Sequence, residues 1–295
     1  MIRKNIILIS CLVMNFVVHA QFLNNSEIGI MMGGANYTGD INNSLAGAGS
    51  KFMNQFETSF DFYNVTFMAG FIYRYNVSNR WAVRGNILFS KLWGDDIHFD
   101  NPRNLNFSTW CNEISFVMEF NFLDYKAGSN KYRFSPYMFA GLAFFYMNPK
   151  TEILNPKTQE LEEVVLRDLH TEGQGLSDYS TPYSNIQLAI PFGLGIKWSL
   201  SKYISIGFEY GWRKTFTDYL DDISTYYVDN NDLQNMAGTL TAAAADRTHE
   251  IQPNFYHKGG EMRGNPETKD WYNFFGMTFT VKLPTPQHCD TYKSR

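Results

Sequence analysis

The sequence predicts an all-β protein, an eight-stranded antiparallel up-and-down transmembrane β-barrel with long outer loops, one of which contains a short helix. Three observations predict this fold. Large apolar side chains alternate with small or polar ones along eight segments, tryptophans stand at the ends of those segments, and the connections alternate between short and long. These features are typical of a closed sheet with lipid outside and a crowded interior.

The alternation is clearest in the segment NIQLAIPFGLGIKWSL, residues 185–200. A period of two places alternate side chains on opposite faces of an extended strand. One face of this segment is apolar, whereas the other carries small or polar residues that include Pro191, Gly193 and Gly195. The two glycines are expected to make room for neighbours inside a narrow barrel. The proline cannot donate to a strand ladder and predicts a local bulge.

Seven other segments repeat this pattern, and each has roughly the length that crosses a bilayer as a tilted strand. In chain order the eight predicted strands are EIGIMMGGANY, YNVTFMAGFIYRY, WAVRGNILFSKLW, NEISFVMEFNFL, FSPYMFAGLAFFYMN, NIQLAIPFGLGIKWSL, YISIGFEYGWR and WYNFFGMTFTVKL. Alternation alone does not distinguish a membrane barrel from a soluble β-sandwich, because strands of both can have one apolar face.

The tryptophans favour the membrane barrel. Indole prefers the membrane interface, where its ring is buried and its N–H group stays hydrated. In a soluble sandwich these large side chains would more often stand at strand centres, but here all six stand at or near predicted strand ends. The predicted interface aromatics are Trp81, Trp93, Trp110, Trp198, Trp212 and Trp271.

The connections alternate in length, as a barrel with two unlike sides requires. The short connections are predicted to face the periplasm together with both termini, and they cover residues 75–80, 124–133 and 199–203. The long connections are predicted to face outward, and they cover residues 39–61, 94–109, 149–184 and 217–270. These far exceed the usual loop of about 4 to 6 residues, and residues 232–248 of the last one are predicted to be helical.

The N-terminus has the pattern of a cleaved secretory signal peptide. Arg3 and Lys4 precede an apolar run at residues 6–18, which is too short to span a bilayer as a helix of about 20 residues. A lipoprotein cleavage site at Cys11 is an alternative, although the apolar core before it would be short. The predicted organisation is a signal peptide at 1–20, an outer-membrane β-barrel at 21–283 and a periplasmic tail at 284–295.

Charge patterning points to the barrel interior. The net charge of -4 argues against nucleic acid as a partner, because that binding requires a basic patch. An isolated buried ion is prohibitively costly, so the charged residues on the inner parity are predicted to form an ion-pair network that rigidifies the barrel; a gated polar pathway is the alternative. The predicted network comprises Arg74, Arg84, Glu113, Glu119, Lys197, Glu209 and Arg213.

No catalytic, cofactor or metal site and no small-molecule substrate is predicted. A lipid-hydrolysing barrel would place histidine and serine together on the lipid-facing wall, but every histidine lies outside the predicted strands. A loop site that combines His249 or His257 with Asp222 or Asp246 remains an alternative. The sequence has no zinc, calcium, phosphate-loop or dinucleotide-binding pattern.

Two cysteines remain after the signal peptide, Cys111 near the outer end of the fourth strand and Cys289 in the tail. A disulfide needs Cα atoms within about 7 Å, whereas an apolar band about 25 Å tall separates these two positions. They are therefore not expected to pair. Cys289 is a candidate contact to a partner in the oxidising periplasm, with a free thiol as the alternative.

Four stretches of the chain carry a family resemblance. They are EIGIMMGGANYTGDI at 27–41, SPYMFAGLAFF at 135–145, FGLGIKWSLSKYISIGFEYGWRKTFTDYLDDISTYYVD at 192–229 and RGNPETKDWYNFFGMTFTVKL at 263–283. They resemble the PorG family, the small DUF6089-like outer-membrane barrel of the type IX secretion system of the Bacteroidetes. The last strand also resembles the recognition signal of barrels inserted by the Bam machinery, through Gly276, Phe279 and Val281, although Phe274 stands where a polar residue is usual.

The resemblance implies a non-enzymatic component of a protein secretion and gliding machinery. Its implied partners are membrane lipids and a periplasmic ring built from the lipoprotein PorK and the protein PorN, which the barrel would anchor or stabilise at the outer membrane. The tail with Cys289 is the candidate contact. Two other functions stay open, because one fold hosts many functions: a surface receptor or adhesin that works through its outer loops, and a barrel enzyme that acts on lipid.

Overall fold

The computed structural model describes residues 25–41, 64–99, 102–176 and 179–284. Its strands are β1 (Ser26–Thr38), β2 (Thr66–Asn76), β3 (Trp81–Asp95), β4 (Asn106–Asn121), β5 (Phe134–Tyr146), β6 (Lys150–Leu154), β7 (Leu161–Val165), β8 (Ile186–Ser199), β9 (Ile204–Thr215) and β10 (Trp271–Lys282). The α-helices are short and comprise α1 (Leu166–Leu169), α2 (Asn230–Ala237) and α3 (Thr239–Ala245). Among the described residues, no helix is both long enough and apolar enough to cross a membrane.

Eight of the strands close into an antiparallel barrel. Sequential neighbours pair in an up-and-down order, β10 pairs with β1, and β3 pairs with β4, so the sheet has no break around its circumference. Closure gives every barrel strand a hydrogen-bonded neighbour on both sides. A sheet surrounded by hydrocarbon needs this, because its backbone N–H and C=O groups find no water there. The predicted fold class is confirmed, including helical structure in the last long connection, where Gly238 separates α2 from α3.

The strand bounds agree with the predicted segments at most ends. The main difference is the β3–β4 hairpin, which continues beyond the predicted segments to Asp95 and from Asn106. A second difference is the β6–β7 hairpin inside the long connection after β5, which the alternation did not predict. This hairpin joins the barrel sheet through a single pair, Ser108 with Lys150.

The predicted bulge at Pro191 is wrong. Pro191 pairs with Arg213 of β9 in the same register as its neighbours in β8. Toward β5 the described ladder is interrupted after Phe192 and resumes at Ala189 in an unchanged register. The lost proline N–H is therefore accommodated by a gap in one ladder, with no inserted residue.

The glycines of β8 behave as predicted. A Cβ atom added to Gly195 would lie 2.5 Å from Cζ of Tyr137, and one added to Gly193 would lie 2.7 Å from Cζ of Phe139. Both aromatic side chains are buried inside the barrel. The small inner face of β8 thus gives room to the large inner side chains of β5.

The two faces of the barrel wall differ in chemistry. Phe67, Phe116 and Trp110 point outward and are 69%, 62% and 60% exposed, and large apolar side chains continue this exposed surface on every barrel strand. Such a contiguous apolar belt is far larger than the patches of soluble monomers and matches the lipid-facing band of membrane barrels. The chain has the architecture of an outer-membrane β-barrel.

The interior is filled along its length. Toward the short-turn end, where both ends of the described barrel lie, the inner side chains are mostly charged or polar. Toward the long-loop end they include an apolar cluster that contains Met31, Leu88 and Phe145. This cluster continues into the connecting segments above the barrel, which we call the outer cap: residues 39–41, 96–99, 102–105, 147–176, 179–185 and 216–270.

Several predicted features lie outside the described residues. These are the signal peptide at 1–20 with the alternative site at Cys11, most of the connection at 39–61, and the tail beyond Pro284 with Cys289. Cys111 is described; it is buried on the inner face of β4.

Candidate functional site

Glu119 is the centre of the charged interior. Its carboxylate lies 3.0 Å from Nε of Arg74, 3.2 Å from Nε of Arg84 and 2.7 Å from Nζ of Lys197. All four side chains are essentially inaccessible. They come from β2, β3, β4 and β8, so this one carboxylate joins four strands across the lumen.

Arg84 extends the network to β9. Its Nη1 and Nη2 atoms donate to Glu209 at 2.6 and 3.1 Å, a two-pronged geometry that the guanidinium group favours. The hydroxyl of Tyr137 donates to the same carboxylate at 2.6 Å. The ammonium of Lys197 also lies over the rings of Tyr125 and Tyr137, at 4.8 and 4.7 Å from their centres.

Glu27 of β1 also belongs to the network, although it is not among the seven residues predicted from the sequence. Its carboxylate lies 3.4 Å from Nη1 of Arg74 and accepts hydrogen bonds from Asn76 and Thr280 at 2.7 Å. With Glu27 the interior contains four cationic and four anionic side chains, which removes the excess positive charge of the predicted set. The alternation of the first segment contained this information, because Ile28 and Ile30 lie on its outer face and Glu27 therefore lies on the inner one.

Glu113 and Arg213 form a separate pair nearer the long-loop end. Nε of Arg213 lies 3.1 Å from Glu113, and the hydroxyl of Tyr272 donates to the same carboxylate at 2.9 Å. The guanidinium also stacks 4.4 Å from the centre of the Phe274 ring. All seven predicted inner residues therefore lie in the lumen, in two groups. Five of them form the lower group together with Glu27: Arg74, Arg84, Glu119, Lys197 and Glu209. The other two, Glu113 and Arg213, form the upper pair.

The tryptophans occupy two levels of the wall. Trp81 and Trp198 lie at the short-turn end, where both are about half exposed; Trp110 is exposed near the other end, although it lies inside β4 because that strand continues beyond it. Trp212 and Trp271 differ from the expected exposed girdle. They are 9% and 6% exposed, because they pack with Phe192 in an aromatic cluster.

Two buried arginines hold the outer cap together. Arg103 pairs with Asp96 at 2.8 Å and donates to the backbone carbonyls of Asp40 and Arg263. It thereby connects the β3–β4 connection with the segments that follow β1 and precede β10. Both partners in the ion pair are at least 98% buried.

Arg263 binds the remaining cap segments. Its guanidinium lies 3.0 Å from Glu172 and donates to the carbonyl oxygens of Asp222 and Ala245. Glu172 in turn accepts hydrogen bonds from the backbone N–H groups of Ser224 and Thr225. Three segments that are far apart in sequence are thus fixed to one another by one ion pair and its hydrogen bonds.

A carboxyl pair joins the barrel rim to the cap. The hydroxyl of Tyr37 lies 2.5 Å from Oδ2 of Asp221 and 3.3 Å from Oδ1 of Asp270. A phenol has one hydrogen to donate, so the two contacts are both favourable only when one carboxyl group carries a proton. Burial and the neighbouring negative charges raise the pKa of Asp221 and that of Asp270 well above the ordinary value.

We expect the outer cap to loosen as the pH rises from 5 to 8. Burial raises the pKa of Asp222 to about 6 and that of Asp218 to about 7. A raised pKa in the folded state means that the protonated form stabilises the fold, so this stability is complete below about pH 4 and is lost as the pH rises through 6 and 7. The charged groups that face one another here are Asp40, Glu172, Asp218, Asp221, Asp222 and Asp270, with Arg103, Arg263 and Lys269.

Limited proteolysis of the folded barrel at pH 5 and pH 8, with a protease active at both, measures this loosening. Cleavage within residues 216–270 should be on the order of tenfold faster at pH 8, because one titrating group costs about 1.4 kcal/mol per pH unit. Asp218→Asn mimics the protonated side chain and should weaken the pH dependence. Equal cleavage rates at the two pH values would contradict the expectation.

One of the four proposed histidine–aspartate combinations forms in the cap. Nδ1 of His257 lies 3.2 Å from Oδ2 of Asp246, and the Thr248 hydroxyl lies 3.4 Å from the same ring nitrogen. A serine-type relay needs the acid on one ring nitrogen and the nucleophile on the other. No described hydroxyl or thiol bonds Nε2 of His257, whose ring is stacked on Tyr227 at 4.2 Å.

The other candidate residues have structural contacts. Asp222 accepts hydrogen bonds from Thr171 and Tyr183, and Nδ1 of His249 lies 3.1 Å from the carbonyl of Asp246. In the described part of the chain, no group of three or more histidine, cysteine, aspartate or glutamate side chains could hold a metal ion.

Two concave surfaces lie at opposite ends. At the short-turn end a pocket of about 210 Å³, which we call the mouth pocket, is lined by Asn25, Asn76, Ser78, Asn79, Tyr125, Lys126, Ala127 and Lys282. On the outer cap a cavity of about 530 Å³ is bordered by tyrosines 179, 226 and 227 and by carboxylates that include Glu172 and Asp229.

The sequence matches a family model described as Domain of unknown function (DUF6089), over residues 3–166. That span is more than half of the chain. The protein belongs to the DUF6089 family. No curated protein matches the chain.

Solved structures similar to this DUF6089 protein are barrels with low sequence identity. OprG, an outer membrane protein from Pseudomonas aeruginosa, is 11% identical with a TM-score of 0.39, and the match covers 88% of this chain and 98% of OprG. Ail, the attachment invasion locus protein of Yersinia pestis, is 8% identical with a TM-score of 0.36, and the coverage is 87% and 96%. For the N-terminal β-barrel domain of P. aeruginosa OprF these values are 11%, 0.31, 87% and 98%.

The DUF6089 match divides the lumen network. Residues 3–166 contain β1 to β7 and therefore Glu27, Arg74, Arg84, Glu113 and Glu119. Lys197, Glu209 and Arg213, which complete the ion pairs, lie on β8 and β9 beyond that span. The matched span thus supplies three of the four anionic and two of the four cationic side chains of the lumen, and the rest of the chain supplies the other three.

Proposed function

We propose that this DUF6089 protein lies in a bacterial outer membrane and anchors the periplasmic ring of a type IX protein secretion and gliding machinery. The short-turn end, with both chain ends, faces the periplasm in this proposal. The partners are membrane lipids and PorK-like and PorN-like ring proteins, and the barrel itself is not an enzyme. The resemblance to the PorG family names the machinery, and the geometry of the barrel supports a static role.

The filled lumen is the observation that carries the proposal. Six charged side chains bridge the strands near the short-turn end, and the Glu113–Arg213 pair and an apolar cluster occupy the lumen above them. Opening a path would separate buried ion pairs, which costs several kcal/mol for each ion left unpaired. A barrel held rigid in this way suits an attachment point in the membrane.

The two ends of the barrel support the direction of the attachment. The outer cap is fixed by buried arginines, whereas the short-turn end presents three short connections and the last strand, after which the tail at 284–295 follows in the sequence. A ring below the membrane would meet that end first. The tail with Cys289 is the proposed contact.

Gentle detergent extraction of an affinity-tagged chain from its native outer membrane, followed by mass spectrometry, tests the proposal. Ring proteins should co-purify with the full chain and be lost, by at least tenfold, when residues 284–295 are deleted. A chain whose tail has the same composition in permuted order is the matched control for tail length and charge. Non-reducing gels with Cys289→Ser then show whether the contact includes a disulfide.

Recovery of a lone barrel after chemical crosslinking in the membrane would contradict the anchoring role. Loss of the ring proteins together with loss of the folded barrel would mean only that the variant is unstable, so the heat-dependent gel mobility of each barrel is measured alongside. Equal recovery with and without the tail would retain the anchor and move its contact elsewhere on the short-turn end.

A receptor function at the outer cap is the second candidate, favoured by the cavity of about 530 Å³. Deleting residues 149–184 would not test it, because Thr171, Glu172 and Tyr183 are part of the cap interior. Tyr226→Ala is the better variant, since this ring is about half exposed at the cavity. Loss of surface attachment with secretion intact would favour the receptor.

A further inference from the structure

The mouth pocket is built on rigid parts of the barrel. Its walls are the residue before β1, the β2–β3 connection, the β4–β5 connection and the end of β10. Asn76 donates to the carbonyl of Asn25 at 3.2 Å and to Glu27 at 2.7 Å, and the N–H group of Tyr125 donates to the carbonyl of Asn79 at 3.0 Å. The pocket is therefore preformed, which lowers the entropic cost of binding.

The inner end of the mouth pocket is closed by the part of the lumen network nearest the short-turn end. Tyr125 is 1% exposed, its hydroxyl lies 2.9 Å from that of Ser205, and its ring covers the ammonium of Lys197. A group that enters from the short-turn end would stop at this ring. The pocket thus opens away from the barrel, and it lies inside the rim instead of on the lipid-facing wall.

The pocket is lined by positive charge without a matching anion. Among the described residues, neither Lys126 nor Lys282 forms an ion pair; the ammonium of Lys282 donates to the carbonyl of Ala127 at 3.3 Å. The nearby carboxylate of Glu27 is already bound by Arg74, Asn76 and Thr280. Two ammonium groups beside three asparagine side chains form a surface that favours an anion.

An acceptor in the same pocket also lacks a partner. The Oδ1 atom of Asn76 is buried and accepts no hydrogen bond within the described structure. Leaving a buried polar atom unsatisfied costs roughly 1 to 3 kcal/mol. A ligand that brings a hydrogen-bond donor together with its negative charge would satisfy both features, and a peptide backbone N–H beside an acidic side chain does so.

We propose that the mouth pocket binds an aspartate or glutamate side chain from an extended acidic segment of a periplasmic partner protein. The volume of about 210 Å³ accommodates one such side chain and its backbone, with the carboxylate between Lys126 and Lys282. The identity of the partner as a ring component rests on the proposed function, whereas the carboxylate chemistry rests on the pocket alone.

The first experiment places a photocrosslinking p-benzoylphenylalanine at Asn79, an exposed position of the pocket, in the full chain in its native membrane. Crosslinked peptides are then mapped by mass spectrometry. We expect an acidic segment of a periplasmic protein, and at least a fivefold lower yield in the double variant Lys126→Glu with Lys282→Glu. The matched control is Lys131→Glu with Lys202→Glu, exposed lysines of the same end that lie over Tyr132 and Tyr203; it should retain the crosslink.

The second experiment uses a defined probe. The tripeptide acetyl-Asp-Asp-Asp-amide is titrated into the purified full chain in detergent by calorimetry, with the asparagine tripeptide as the neutral control. The dissociation constant should rise at least tenfold in the double lysine variant and also at high salt. Inorganic phosphate, titrated in the same way, separates a carboxylate-specific pocket from a general anion site.

Three outcomes would overturn the proposal: a crosslink to residues 285–295 of the same chain, a crosslink to a neutral or basic segment, or tighter binding of phosphate than of the acidic peptide. The two proposals fail separately. If ring proteins co-purify equally with the native and double-variant chains and the acidic peptide binds neither, the pocket assignment alone is wrong. If no ring protein co-purifies but the peptide binds as expected, the anchoring function is wrong.

Discussion

Replacing Glu119 by glutamine is expected to lower the free energy of unfolding of the barrel by about 3 to 5 kcal/mol, the usual cost of breaking a buried ion pair on one side. The cost arises because Arg74, Arg84 and Lys197 all share this carboxylate. Arg84 retains Glu209 and Arg74 retains the more distant Glu27, but Lys197 has no other carboxylate within its described ion pairs.

Equilibrium unfolding by urea in lipid vesicles, followed by tryptophan fluorescence, measures the change. Asp124→Asn is the matched control, because it breaks an ion pair with Arg80 whose side chains are 46% and 41% exposed; such surface pairs contribute only about 0 to 1 kcal/mol. If Glu119→Gln lowers the free energy of unfolding by less than about 1 kcal/mol, water enters the lumen and solvates the cations in place of the carboxylate. That result would contradict a filled interior.

Replacing Arg263 by methionine is expected to release the outer cap while the barrel stays folded. Methionine retains much of the length of the side chain but leaves Glu172 buried without its ion pair and removes the bonds to the carbonyls of Asp222 and Ala245. The loss of about 3 kcal/mol or more would raise the population of the open cap on the order of 100-fold, since 1.4 kcal/mol corresponds to a factor of ten.

Protease cleavage within residues 216–270 reports this opening, and the heat-dependent gel mobility of the folded barrel reports the strands. Lys258→Met is the control, because Lys258 is an exposed residue of the same segment and should leave the cleavage rate unchanged. An Arg263→Met protein that unfolds altogether would show that cap and barrel form one cooperative unit. That result would contradict the expectation that the cap opens while the barrel stays folded.

The strands could be predicted from sequence because the wall of a membrane barrel imposes one rule on every residue. Side chains at alternate positions of Ile114 to Phe122 must be apolar to face lipid. The two-residue alternation can therefore be recognised without knowing which strands pair with one another. The same rule located the inner charged residues. It could not show which cation binds which anion, because those pairs join strands on opposite sides of the lumen, as Arg84 and Glu209 do.

The outer cap could not be predicted in the same way. Its segments have no period, because each residue packs against a different neighbour, and the contacts of Arg103 and Arg263 connect positions that are far apart in the chain. The β6–β7 hairpin was missed because each of its strands has only five residues and mixes polar and apolar side chains on both faces, as in LEEVV. Pro191 was predicted to force a bulge, but a gap in one ladder accommodates it.

The pairing of β1 with β10 has a consequence for the order of assembly. This seam extends from Glu27 opposite Lys282 to Thr38 opposite Trp271, and it joins the two extremes of the described chain. Pairings so distant in sequence form slowly, because the entropy of closing the long intervening loop is lost before the stabilising contacts form. Synthesis from the N-terminus delivers β10 last, and until then β1 has one unpaired edge that is open to other strands. The cell must therefore protect this chain along its whole length before the cylinder can close.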